Sequence, residues 1–455
     1  PLLLGYELHF VIEAVMFALI IYLFLQRRYK VKEESESLTE SEVQELITSW
    51  KPQPLVPKTV VGEQTARHEL VVDGANGRQI TVNGVQYLSF VCGSVLGLHT
   101  HPEVINAATS CMDDYGVGSC GPRGFYGSLA PHENLESRAA TFMNTDGSVL
   151  FSNNFANISS VIPALANCDD ILIVDKAVTL AVQIGCKLSR ANLNWFAHND
   201  VKDLERVLQS FQEHFKAKRK RIWVVLEGIY KNTGDIAPLP AIMELKKNWP
   251  FRLMIDETVS FGVLGDSGRG ISEHFNIDSK DIEIITAGIA NSVGCSGGLA
   301  WGNKALVHHM RLNCSGYVFS CSLPPFVSAA ASKAIDLIEG GTLQIPLKAR
   351  LRQIYQAIPS IQGLKCTSKF PSPLIHLRLA EPSVSVETDK QVLQKIEAML
   401  QQNNILVQSS NYSDMERFEP PPSIMVRVMA QHTEEDIVKC VDALRDATKS
   451  VLADQ

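Results

Sequence analysis

From residue 149 to residue 256 the chain sets short apolar runs between longer stretches whose apolar residues return every third or fourth position. The runs are 149–151, 171–175, 222–227 and 252–256. An apolar run of this length without polar alternation predicts a strand buried on both faces. The intervening 201–215 and 242–247 have helical spacing. Strands and helices in alternation predict an α/β fold, with a mostly parallel sheet covered on both faces and ligands at the carboxyl ends of its strands. Upstream, the Gly- and Asn-punctuated 74–87 predicts hairpins, 87–92 a strand and 104–115 a helix. Beyond Gly340-Gly341 the rhythm changes. Helices over 346–358, 389–402 and 434–452 alternate with strands over 375–379 and 424–429, which predicts a smaller C-terminal α+β domain.

The N-terminus follows neither rhythm. Residues 8–25, LHFVIEAVMFALIIYLFL, are apolar apart from His9 and Glu13, and the basic QRRYKVK follows. About 18 such residues predict a transmembrane helix near the lower length limit, the alternatives being a buried or an interfacial helix. The basic flank lies on the C-terminal side, so the N-terminus is expected in the lumen and the remainder in the cytosol. No small-residue cleavage site follows, which argues against a removed signal peptide. Glu13 is costly against lipid and is expected to face another helix or a headgroup. Next, Thr39 and Glu42 form a capping box opening a short helix whose apolar face is Val43, Leu46, Ile47 and Trp50, stopped by the prolines of KPQPLVP. The expected division is an anchor with its flank (1–32), a linker and arm (33–86), a large domain (87–340) and a small domain (341–455).

Composition narrows the function classes. With 45% hydrophobic and 20% charged residues over 455 positions, this is a globular chain with a large core. A net charge of -7 offers no general attraction to nucleic acid, and the basic KAKRKR at 216–221 reads as a solvated helix end. The 10 cysteines form no CxxC pair and no zinc-spaced cluster, which points to a reducing compartment and to no metal.

Three stretches carry candidate chemistry. YGVGSCGPRGFYG (115–127) surrounds Cys120, Arg123, Phe125 and Tyr126 with glycines, up to Gly127, letting backbone approach a ligand or another chain. His132 just after it reads equally as a helix-start, core or catalytic residue. The small polar residues at 152–157 suit a phosphate at a helix N-terminus or plain capping. Asp256 ends a strand, and 281–302, DIEIITAGIANSVGCSGGLAWG, pairs a short apolar run with a glycine-rich turn.

In this order and spacing the segments resemble the α-oxoamine synthases of the fold type I pyridoxal phosphate enzymes, over residues 87–452. Within them they are most similar to the long-chain-base subunits of serine palmitoyltransferase, on YGVGSCGPRGFYG, FAHND (196–200), VLEGIYKNTGDIAPLP (225–240), FGVLGDSGRG (261–270) and FSCSLPP (319–325). The family writes its Schiff-base segment T-F-x-K-x-x-G-x-x-G-G. Anchored on Gly294, Gly297 and Gly298, its lysine falls on Asn291, an amide that forms no imine. The ring-stacking histidine falls on Thr179 and the histidine of D-E-A-H on Val259, while Asp256 stays as the partner of the pyridinium nitrogen. The substrate-carboxylate arginine falls on Met425, with Arg427 two residues on.

The resemblance therefore implies a non-catalytic but required subunit of serine palmitoyltransferase in the endoplasmic reticulum membrane. The complex condenses L-serine with palmitoyl-CoA to 3-ketosphinganine, the first step of sphingolipid synthesis. A catalytic subunit 2 would hold pyridoxal phosphate covalently, and small membrane subunits would join the pair. Family active sites lie at the dimer interface. Cys120, Arg123, Phe125, Tyr126 and Gly127 are thus expected at the partner's site, with Arg123 offering a donor fork, and Ser320, Cys321 and Ser322 at the partner's cofactor phosphate. Two readings stay open beside this one. They are a self-sufficient synthase whose lysine lies elsewhere, although none occurs between Lys280 and Lys304, and a scaffold that touches no substrate.

Overall fold

The computed structural model describes residues 2–26, 38–52, 70–217 and 220–453, and the chain forms two compact units, Pro1–Glu69 and Leu70–Gln455. In the first unit, α1 (Leu2–Gln26) covers the apolar N-terminal stretch. Among the described residues no helix is long and apolar enough to cross a membrane. The span expected over 8–25 is therefore not carried by the structure, and its basic flank falls from residue 27 outside the described residues. Glu13 takes His9 as its partner, Oε1 to Nε2 3.3 Å, one turn away on the same helix. In α2 (Glu40–Ser49) the expected capping box is formed: Thr39 N donates to Glu42 Oε2 at 2.8 Å and Glu42 N to Thr39 Oγ1 at 3.4 Å. None of its residues is buried. Of the proline stop, 53–57 lies outside the described residues.

The second unit opens with the hairpins β1 (Val72–Asn76), β2 (Gln79–Val82) and β3 (Val85–Ser89). The helices α3 (Pro102–Tyr115) and α4 (Ala130–Phe142) follow. Then come β4 (Gly147–Phe151), α5 (Asn154–Leu165), β5 (Ile171–Asp175), α6 (Leu180–Leu188), β6 (Asn192–Phe196), β7 (Ile222–Glu227), β8 (Arg252–Asp256), β9 (Ile284–Gly288) and β10 (Gly298–Gly302). These seven strands form one sheet in the order β4-β10-β9-β8-β7-β5-β6. Its centre is parallel, as the apolar runs require, and β5, β7 and β9 are buried along their whole length. The exception is β10, antiparallel to both β4 and β9. It follows β9 after one helical turn (Ala290–Val293) and a glycine-rich bend, too short for a parallel crossover. The sheet is mixed for that reason.

Downstream, β11 (Leu364–Cys366), β12 (Leu374–Leu379), β14 (Gln408–Ser409) and β15 (Ile424–Arg427) form a four-stranded sheet, while β13 (Ile405–Leu406) runs parallel to β3 and closes the N-terminal hairpins. The helix expected over 201–215 breaks at Phe211 into Val201–Ser210 and Gln212–Ala217. The segment that ends in Pro324-Pro325 leads into a helix over Pro325–Glu339, with Pro325 in its first turn, where proline is tolerated.

Helices α5 and α6 pack closely, and a Cβ on Gly185 would lie 2.9 Å from Ile162 Cδ1 and 3.0 Å from the Ile158 carbonyl oxygen. Backbone cannot yield as a flexible side chain can. Gly185→Ala is therefore expected to cost about 1–3 kcal/mol, read as a lowered urea midpoint of the full chain; an unchanged midpoint would show that the two helices are free to part.

Candidate functional site

Three strands of the large sheet deliver their C-terminal ends to one cavity of about 500 Å³. The end of β7 brings Glu227, that of β8 Asp256 and Thr258, and that of β9 Gly288, while Asn154 opens α5 and Thr179 caps α6. Val259 and Asn291 complete the floor, so all four positions that the sequence marked as lost or vestigial (Thr179, Val259, Asp256, Asn291) line the same space. Arg427 lines it too, settling which of Met425 and Arg427 reaches the cavity.

Neutral hydrogen bonds tie the floor together. The Asn291 amide donates from Nδ2 to the Thr258 carbonyl at 2.9 Å. Gly288 N donates to Thr258 Oγ1 at 2.9 Å, and that hydroxyl donates to Asn154 Oδ1 at 3.4 Å. Asn154 packs against Gly288, whose absent Cβ would stand 2.3 Å from Asn154 Cγ. Asp256 accepts from Thr258 N at 2.9 Å and from Thr286 Oγ1 at 3.0 Å. Burial raises its pKa against those bonds. Glu227 accepts from Thr179 N at 2.6 Å and Lys231 N at 3.0 Å; burial, then the neighbouring Asp256, push it up to about 7. Lys231 and Arg427 are the cations of the lining. Arg427 makes one long contact, 3.4 Å from Nη1 to the Val91 carbonyl, and burial lowers its pKa.

Beside the cavity sits a charged triad that sequence reading quoted only as part of a motif. His198 Nδ1 is 2.8 Å from Asp175 Oδ1, its Nε2 is 3.0 Å from both Asp235 oxygens, and Tyr230 meets it edge-on. Burial opposes the imidazolium, but the hydrogen bonds and charges of the two aspartates outweigh it and push the pKa up to about 9. Thr233 Oγ1 and Asn199 Nδ2 donate to the Asp235 carboxylate, and backbone bonds such as Tyr230 N to the Asp235 carbonyl close the 228–237 bend, so the triad fixes the loop that carries Lys231 and Asn232 to the cavity.

The glycine-rich loop of 115–127 lies outside this lining. Phe125 and Tyr126 project from it, Tyr126 at 101% exposure, and Cys120 and Cys321 are exposed. Gly127 is demanded by close approach, since a Cβ there would fall 1.9 Å from the Gly121 carbonyl oxygen. Arg123 differs from its expected role. It is 5% exposed, and its fork is spent inside the chain on Glu136 Oε1 (2.9 Å) and Glu133 Oε1 (2.6 Å), with Nε on Ser128 Oγ (3.0 Å). Ser322 likewise turns inward, its hydroxyl donating to the Gly127 carbonyl at 2.5 Å and lying 3.1 Å from that of Gly121. Of the three residues expected at a partner's phosphate, Cys321 is exposed and Ser320 half-buried. His132 is wholly buried and bonded through both ring nitrogens. A donor fork satisfied by a carboxylate thirteen residues away leaves no trace in local sequence.

Residues 86–444 match the family Aminotransferase class I and II. Serine palmitoyltransferase 1 of Dictyostelium discoideum is 39% identical over 450 residues, covering 97% of this chain and 94% of that protein. Long chain base biosynthesis protein 1 of Arabidopsis thaliana is 36% identical over 447 residues, covering 98% and 92%. Among solved structures, the Sphingomonas wittichii serine palmitoyltransferase superposes with a TM-score of 0.77 at 25% identity, covering 84% of this chain and 93% of that one.

The His198 triad sets a pH dependence. Its folded pKa, about 9, lies above the ordinary 6.5, so its stabilisation is complete below pH 6.5 and is lost as pH rises through 9. His198→Gln should be less stable than the native chain at pH 6.5, with the gap in thermal midpoint closing toward pH 9.5. A gap that stays constant over this range would mean that the imidazole is neutral in the folded protein.

Proposed function

This chain belongs to the aminotransferase class I and II family and, within it, to the serine palmitoyltransferase 1 group, and on that premise we propose that it is a required subunit which does not itself hold the cofactor covalently. The observation that carries this is Asn291. It stands at the strand-end turn of the cavity with its amide nitrogen committed to the Thr258 carbonyl. The residues present fit covalently held pyridoxal phosphate poorly. Asp256 would serve as the acid toward a ring nitrogen, but Asn291 supplies no amine, and Thr179 and Val259 supply no ring to stack on the cofactor.

In this reading a catalytic subunit 2 binds pyridoxal phosphate, which supplies the electron sink for condensing L-serine with palmitoyl-CoA to 3-ketosphinganine. This chain supplies one half of the dimer and a shaped surface beside the partner's site. Phe125, Tyr126 and Phe319 project from that surface, while Arg123 holds it from within rather than reaching across. A pure scaffold would serve as well without touching substrate, and projecting aromatics beside exposed Cys120 and Cys321 speak for contact.

A second reading, in which this chain carries the cofactor alone, has one residue in its favour: Lys231, the lysine among the described cavity residues. Co-expression with the catalytic subunit, against this chain alone, separates the two. Visible absorbance from protein-bound pyridoxal phosphate and ketosphinganine formation are both expected only in the pair. A chromophore in this chain alone, fixed on Lys231 by borohydride and found there by peptide mapping, would replace the subunit reading with the second one.

The reading also places the chain on the endoplasmic reticulum membrane, N-terminus lumenal and globular unit cytosolic, with small membrane subunits alongside. What supports an anchor is α1 itself, 25 residues with Phe10, Val11, Phe17, Tyr22 and Phe24 exposed among its described side chains. The full chain is expected to stay with microsomes through alkaline carbonate extraction, and a chain starting at residue 38 to be released. Equal release of both would remove the anchor.

A further inference from the structure

The first two turns of α4 hold two separate segments at once. His132 accepts the Leu129 N–H at Nδ1 (3.0 Å), so its proton resides on Nε2, which donates to the Leu323 carbonyl at 2.6 Å. One turn on, along the same helix face, Glu136 grips Arg123 of the glycine-rich loop. The loop and the 319–323 strap are in turn stitched directly. Ser322 N donates to the Gly121 carbonyl at 3.0 Å, Ser322 Oγ bonds the Gly127 carbonyl, and Ser119 Oγ donates to the Ser322 carbonyl at 3.0 Å. Arg123 also lies over the ring of Tyr317 at the base of the strap, 5.6 Å from its centroid.

We propose that His132 is a positioning residue, a pin that registers the 319–323 strap against the 119–127 loop so that both are offered to the partner as one preassembled surface. The partner is the one assigned above, and the docking half of the inference rests on that reading. The pin itself rests on geometry. His132 is fully buried and both of its nitrogens face backbone, so it reaches no substrate. Burial lowers its pKa, in keeping with the neutral tautomer that both bonds require. What it secures is strained and exposed. Cys120 and Tyr126 hold φ of +60° and +66° without being glycine, a conformation that persists only where surrounding bonds over-determine it. Tyr126 and Phe319, the latter 81% exposed, stand on either side of the stitched seam. A rigid aromatic surface gives up little conformational entropy on docking.

A capping role for His132 would use Nδ1 alone, and a pin uses Nε2. Two substitutions in the full chain divide them. In His132→Asn, Oδ1 takes the place of Nδ1 and keeps the Leu129 bond, but nothing reaches Leu323. In His132→Gln, Nε2 keeps a donor for Leu323 while the cap is given up. Hydrogen exchange of the isolated chain is expected to speed up to about tenfold in 119–127 and 319–323 for His132→Asn, and to stay near native there for His132→Gln. Both variants should lose thermal midpoint to a similar degree. Association with the catalytic subunit should weaken by a comparable factor for His132→Asn alone. Exchange that follows the midpoint in both variants, or changes in neither, overturns the pin. Faster exchange with unchanged association keeps the pin and overturns the docking reading.

Discussion

A carboxylate taken out of water must find a counter-charge or keep its proton, and this chain is arranged around how its buried acids meet that condition. Glu136 meets it with charge. Between Arg123 and Arg311, and with the Leu150 N–H at 2.8 Å, it joins α4, β4, the glycine-rich loop and the helix Lys304–Asn313. Asp175 and Asp235 meet it with a shared imidazolium at His198. Glu227 and Glu257 have hydrogen-bond donors but no counter-charge, and burial pushes each up to about 7. Removing one partner from such a group leaves an isolated charge in low dielectric, so these clusters hold their geometry more firmly than their number of bonds suggests.

The consequence for the cavity is a floor held by neutral groups. Asn291, Thr258 and Asn154 are joined by hydrogen bonds, and Asp256 beneath them is already satisfied. The Asn291 amide is accommodated without opening the fold, because its Nδ2 finds the Thr258 carbonyl. Under the function proposed above, a scaffold of this family would keep its shape while the chemistry belonged to a partner: burial and hydrogen bonding preserve the floor, and reactivity is a separate property of one side chain.

The two functional regions are built on different logic. The cavity collects strand ends, as open α/β sheets do, so its position follows from topology. The aromatic surface beside α4 depends on contacts between segments some 200 residues apart, among them Ser119 with Ser322 and His132 with Leu323. Its glycines are needed where chains cross closely, as at Gly127 against Gly121.

The sequence by itself determined the parallel core, the change of rhythm after Gly340 and the capping box of α2, because periodicity and strand ends are local properties, while the set Thr179, Asp256, Val259 and Asn291 came from the family resemblance. Motif spacing also carried the family. Only the tertiary structure decided that β10 runs against its neighbours, that Arg427 rather than Met425 reaches the cavity, and that Arg123 and Ser322 bond inward instead of outward. It also revealed His198 as the centre of a triad and His132 as a link between two segments. The reason is common to all of these. A side chain's role depends on which donors, acceptors and charges surround it, and those neighbours come from strands and loops far away along the chain. Hydrophobic pattern records whether a residue is buried; it does not record what it is buried against.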